Sequence, residues 1–176
     1  MTSPSWVLTG PYRNLQTKLL MSTNENPSGI AIVEHLLEPG SFGEAPHLHT
    51  REDEISIILE GEITIWEEGR ISIYKAGEVA LKKRNSFHAF WNGGSQPLRF
   101  IDLYMPGNFA SYFYEISHLL PLPGKACRKQ MDLLNKKYGL QVDDTAMGTP
   151  FLGREPSRQC SVENSSSVKE KADLPA

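Results

Sequence analysis

The chain has 176 residues, 39% of them hydrophobic, and a formal charge of −3 from 18 basic and 21 acidic side chains. This length supports one apolar core that folds without disulfides or metal, and so flat a charge balance argues against a nucleic-acid footprint. No apolar run approaches the ~20 residues of a membrane span, and Met1 to Gly10 lacks the basic-then-apolar pattern of a signal peptide, so the expectation is a cytoplasmic protein with no nucleic-acid or membrane partner.

Strands dominate from about Thr17 to Met105. The β-branched run Gly29 to Leu37 ends at Pro39-Gly40, and Ile55 to Glu60 meets Gly61. Glu62 to Glu67 and Arg70 to Lys75 alternate around the turn Glu68-Gly69. Glu78 to Lys82, Phe87 to Asn92 and Leu98 to Met105 complete the set. Strands recurring every 8–12 residues or so, with turns between, predict an all-β antiparallel sandwich or barrel.

After Pro106-Gly107 the period changes. Phe109, Tyr112, Phe113, Ile116, Leu119 and Leu120 fall at helical spacing, with Asn108 as N-cap and Pro121 as stop. A second helix is predicted from about Lys125 to Tyr138, with Cys127, Met131, Leu134 and Tyr138 on one face. Lys136 and Lys137 suit its C-terminal dipole, and Gly139 its C′ position. From Arg154 the chain is polar and serine-rich, which predicts a disordered tail over residues 154–176. Residues 1–106 thus read as a β-domain with an N-terminal arm, and 107–153 as a helical extension packed on it. The two cysteines, Cys127 and Cys160, are too few for a disulfide scaffold and read as ordinary thiols.

The chemistry concentrates in four side chains. His47 and His49 are two apart, so on a strand they share a face. Glu54 opens the next strand, and a turn through Thr50 to Asp53 brings it back beside them. His88 lies on a later strand. Three neutral imidazoles and one carboxylate inside an apolar barrel make a divalent transition-metal site; the donor set admits Fe, Mn, Ni, Co, Cu or Zn. Glu52 and Asp53 compete with Glu54 for the ligand role. His35 reads as a buried, hydrogen-bonded core histidine, and His118 falls off the apolar face of its helix.

The pattern Gly40, His47, His49, Glu54 and Gly61, followed by Gly77, His88 and Asn92, resembles the two motifs of the cupin superfamily. The region from about Gly10 to Tyr114 is similar to small, single-domain quercetin-dioxygenase-like cupins. The resemblance implies a double-stranded β-helix (jelly-roll barrel) with a C-terminal helical extension. The spacing of Glu54 to Gly61 favours Glu54 over Glu52 and Asp53, which then read as solvated turn residues. Three departures stand out. Gly40 sits one residue further from His47 than is usual, with Gly43 a candidate for the turn. Lys83 replaces the usual proline, and Asn85 the usual glycine, a position where Asn tolerates a left-handed backbone. Lys82, Lys83 and Arg84 are expected to give the rim a basic edge.

The resemblance implies one metal held by His47, His49, Glu54 and His88, with Glu54 also serving as general base. It further implies oxygenase-type cleavage of a small phenolic, flavonol or polyketide substrate through an enolate bound to the metal. A non-oxidative lyase, cyclase or isomerase of natural-product metabolism and a non-catalytic small-molecule binder are the alternatives. Strand parity offers Ser56, Phe90, Asp102 and Tyr104 as pocket walls. A homodimer is expected, as is common among cupins.

Overall fold

The computed structural model describes residues 5–9, 14–26, 28–119 and 124–143, with the side chains of 124–128 excepted. The expected tail, Cys160, the Cys127 side chain, Leu120 and the Pro121 helix stop lie outside these residues.

Eleven strands and two helices follow in order: β1 Val7–Thr9, β2 Leu15–Met21, β3 Ala31–Leu37, β4 Phe42–His49, β5 Asp53–Glu60, β6 Glu62–Glu67, β7 Arg70–Lys75, β8 Val79–Lys82, β9 His88–Trp91, β10 Leu98–Met105, α1 Ala110–Leu119, α2 Gly124–Tyr138 and β11 Leu140–Val142. They form two antiparallel sheets, ordered β1-β2-β3-β10-β5-β8 and β11-β4-β9-β6-β7. Alternation explains the sandwich. Along β10, Leu98, Phe100, Asp102 and Tyr104 are buried while the residues between them are partly exposed, and β5 does the same with Glu54, Ser56 and Ile58. One face of β10 and one of β5 therefore supply the interior, while β4 and β6 are buried on both faces.

Among the described residues three apolar clusters are buried, the smallest being Phe42, Trp66 and Ala89 with Phe87 and Trp91 against them. Leu15, Leu37, Ile58, Ile63, Leu98 and Phe100 fill the end remote from the helices. At the other end α1 and α2 bring Phe109, Tyr112, Ile116, Leu134 and Tyr138 against Ala31, Val33 and Tyr104. The helices lie where their apolar spacing placed them. The first is led by a 3-10 turn over Gly107–Phe109, and no side-chain cap from Asn108 is formed there.

Three features differ from the sequence reading. β4 is a full strand, Phe42–His49, rather than a short extended stretch around two histidines. The region after α2 is not purely helical: Gly139, at φ +71°, reverses the chain, and β11 pairs with β4 in the register Leu140↔His49 and Val142↔His47. Gly43 is no turn residue. It sits within β4, where a Cβ would meet the Phe90 ring at 2.0 Å. Asn85 does take the left-handed conformation, at φ +62°.

Candidate metal centre

β4 projects His47 and His49 into the sandwich, β5 projects Glu54, and β9 projects His88 from a position directly across from His47. All four are buried, and one ligand atom from each lies within 4.8 Å of the others. Backbone carbonyls orient two of the imidazoles. His47 Nδ1 donates to the Ala45 carbonyl at 2.7 Å and His88 Nδ1 to the Ser86 carbonyl at 3.1 Å. A carbonyl only accepts, so Nδ1 carries the proton and Nε2 keeps its lone pair for the centre.

Unpaired atoms mark the same point. Among the described residues, Glu54 Oε2 and His88 Nε2 are buried side-chain atoms without a hydrogen-bond partner; His49 Nδ1 and Glu52 Oε2, also without one, face each other at 4.0 Å. Glu54 Oε2 stands 3.3 Å from His49 Nε2 and 3.4 Å from His88 Nε2. Two ligands each about 2.1 Å from one ion, at tetrahedral to right angles, stand about 3.0–3.4 Å apart. The donor set and its spacing thus fit a divalent transition ion.

The electrostatics agree. Burial holds the His47 pKa well below its ordinary value, helped by the His88 and His49 rings, and burial likewise lowers that of His88. Both are neutral, as ligands must be. Burial alone would raise the Glu54 pKa. The Lys82 ammonium, then His49 and His88, overcome it and hold the carboxyl well below its usual range. Lys82 Nζ is 2.6 Å from Glu54 Oε1 and 3.7 Å from Asp102 Oδ1. Of the two carboxyls, the nearer takes the charge. Burial pushes the Asp102 pKa well up, against the pull of the more distant Lys82, and the neighbouring Glu54 charge adds to the rise.

A narrow cavity of about 20 Å³ is lined by His47, His49 and Glu54 of the four, and also by His35, Phe90, Asp102, Tyr104 and, from the helical end, Phe109 and Phe113. Of the candidate walls, Phe90, Asp102 and Tyr104 line it. Ser56 is buried behind them, donating its hydroxyl to Asp102. The Tyr104 hydroxyl reaches Glu54 Oε1 at 3.2 Å and Asp102 Oδ2 at 3.5 Å.

His35 is buried and hydrogen-bonded, as expected, with Thr17 Oγ1 at 3.0 Å from Nδ1. It also lines the cavity, with Nε2 3.4 Å from Asp102 Oδ2, and burial lowers its pKa to about 3. His118 is exposed on α1, against the Tyr114 ring. Asn92 is buried and donates to the Leu37 and Gln96 carbonyls, closing the loop after β9.

Two residues depart from the sequence reading. Glu52 is no solvated turn residue: it is 2% exposed, with Oε2 4.0 Å from His49 Nδ1. Lys82 does not join a basic rim. Lys83 and Arg84 are exposed, and Arg84 clasps Asp53 at 2.7 Å, but Lys82 is 1% exposed beside Glu54. Strand parity alone did not carry this signal, because the more apolar face of β8, Val79 and Leu81, is the exposed one. Lys82 lies directly opposite Glu54 in the β5–β8 register and shares its face with Ala80, which is also buried.

Residues 33–104 match the model of the cupin domain family. No curated protein matches the chain. Among solved structures, a predicted oxalate decarboxylase from Thermotoga maritima is 25% identical at TM-score 0.51, covering 58% of this chain and 90% of its own. KdgF from a Halomonas species is 21% identical at TM-score 0.49, covering 57% and 84%. A sugar phosphate isomerase of the cupin superfamily from Silicibacter pomeroyi is 20% identical at TM-score 0.47, covering 53% and 60%. With two antiparallel sheets and the motif histidines and glutamate meeting between them, residues 33–104 form a cupin domain.

Proposed function

We propose that the protein is a metal-dependent cupin enzyme acting on a small oxygen-bearing molecule at the site formed by His47, His49, Glu54 and His88. The observation that carries this reading is the convergence of four buried ligand atoms within 4.8 Å beside an interior cavity. A bound divalent ion supplies an open coordination position and a charge that acidifies an enol or phenol.

The chain's own residues supply the rest. Glu54, kept ionised beside Lys82, would accept the substrate proton through Oε2 on loosening from the ion. Asp102, protonated by burial, presents an O–H donor from the cavity wall, while the single Tyr104 O–H is held by Glu54 Oε1. Phe90 and Phe109 keep the space apolar around them.

The first branch of this reading is oxygenase-type chemistry on a phenolic, flavonol or polyketide, supported by the motif resemblance. The second is non-oxidative lyase, cyclase or isomerase chemistry. A cavity of about 20 Å³ holds little more than one water, which speaks against a flavonol-sized substrate in either branch. The name of the Thermotoga maritima neighbour, a predicted oxalate decarboxylase, points to the second branch. The deciding experiment is metal analysis of protein purified without added metal, followed by oxygen uptake with candidate phenolics. About one metal per chain supports the site. Turnover at full rate without oxygen removes the oxygenase branch, and metal-free protein that binds small molecules without turning them over leaves only a carrier.

A homodimer belongs to the same reading. Val79 and Leu81 on edge strand β8 are 56% and 49% exposed, beside the half-buried Ile57 and Ile55 of β5. Sedimentation at a single-chain mass would remove this part.

A further inference from the structure

Glu54 has two oxygens, and the barrel treats them differently. Oε2 faces the Nε2 atoms of His49 and His88 and has no hydrogen-bond partner. Oε1 receives the Lys82 ammonium at 2.6 Å and the Tyr104 hydroxyl at 3.2 Å. Lys82 reaches it from the residue of β8 paired with Glu54, and its ammonium also lies 5.2 Å from the Phe90 ring centre. Burying an ammonium is costly unless a partner and good geometry compensate. Here the partner is an expected metal ligand, although the next two residues, Lys83 and Arg84, are both at the surface. Lys82 does not line the cavity, so it meets neither substrate nor ion directly.

A carboxylate left alone can give an ion one oxygen or two. We propose that Lys82 is a positioning residue that reserves Oε1, so that Glu54 ligates through Oε2 alone and a further coordination position stays open for substrate. This rests on the reading of His47, His49, Glu54 and His88 as the metal ligands. The hydrogen bond is the active element: any donor at that place restrains Oε1, whereas an apolar side chain of similar length releases it. Tyr104 approaches the same oxygen from β10 at a longer distance and is the weaker restraint.

The test uses cobalt(II) and zinc added to the purified, metal-free full chain, comparing wild type with Lys82→Met and Lys82→Gln. Lys82→Met is expected to bind cobalt with its visible absorption reduced about twofold, as the coordination number rises. The zinc form should show a narrower separation between the symmetric and antisymmetric carboxylate stretches in its infrared difference spectrum. Lys82→Gln, which keeps a donor without the charge, is expected to restore the wild-type cobalt spectrum and carboxylate bands. A folded Lys82→Met protein with both spectra unchanged overturns the proposal. A Lys82→Gln protein with the narrow, two-oxygen splitting also overturns it, and Lys82→Leu takes the place of the methionine variant if that one does not fold. Wild-type protein that takes up neither ion is a separate failure, because it removes the metal site itself.

Discussion

Gly43 and Phe90 pack so closely that a methyl group on Gly43 would stand 2.0 Å from the ring carbon Cε2. Phe90 is a wall of the cavity, so the absent side chain on β4 sets where that wall stands. Gly43→Ala is expected to destabilise the protein by about 1–3 kcal/mol through overpacking. Adding Phe90→Leu should recover much of the loss. Urea unfolding of the single and double variants checks this, and equal stability of wild type and Gly43→Ala would show that the ring moves freely.

His49→Ala and His88→Ala are each expected to lower metal content from about one per chain to a small fraction while leaving the fold in place. The core residues Ile58, Ile63, Leu98 and Phe100 include no metal ligand, so their burial does not need the ion. Elemental analysis and far-ultraviolet circular dichroism report the two effects separately. Full metal content in either variant would show that the ligand assignment is wrong.

Glu54→Gln keeps the shape and removes the charge. If Glu54 is both ligand and base, turnover should fall by about 100-fold or more, beyond the fall in metal loading. Equal losses of both would reduce it to a ligand. Measurement of both on the same preparation separates the outcomes.

Glu52→Gln tests the buried carboxyl 4.0 Å from His49 Nδ1. An outer carboxylate that orients a ligating imidazole is worth about 10–100-fold in metal affinity. Competition against a chelator should show a loss in that range. Unchanged affinity would leave Glu52 a buried carboxyl with no role toward the ion.

The metal-free protein should be acid-labile. His35, His47 and His88 are buried and neutral, with His35 lowered to about 3. Their folded pKa values lie below the unfolded value of 6.5, so stability is full above that pH. As pH falls below it, only the unfolded chain takes up protons. The expected loss approaches 1.4 kcal/mol or so per pH unit for each fully shifted histidine. Glu54 acts in the same direction lower down: its depressed pKa gives stability present above 4.5 and lost as pH falls further. Denaturant unfolding at a series of pH values measures the slope, and a flat profile from pH 7 to 5 would contradict the neutral, buried state of the three rings.

Local patterns were legible where the physics is local. Alternation located β6, β7 and β10 at their observed bounds, and it placed Asp102 with Tyr104 and Ser56 with Glu54 on shared faces. Helical spacing located α1 and α2, and the left-handed tolerance of Asn explained Asn85. The misses were residues whose burial the local residue pattern does not show. Glu52 looked solvated because its sequence neighbours are turn residues, but it is buried against His49. Lys82 looked like surface charge because two basic residues follow it.

The order of residues alone determined that this chain builds strands with one apolar face and places two histidines, a glutamate and a third histidine on such faces, because side-chain direction along a strand follows from backbone geometry. Only the tertiary structure decided which face of β8 turns inward, that β11 returns to pair with the histidine strand, and that an ammonium sits on one oxygen of Glu54. Those outcomes depend on strand register and on contacts between distant segments, and the cost of burying a charge can be met only by a partner that folding brings to it.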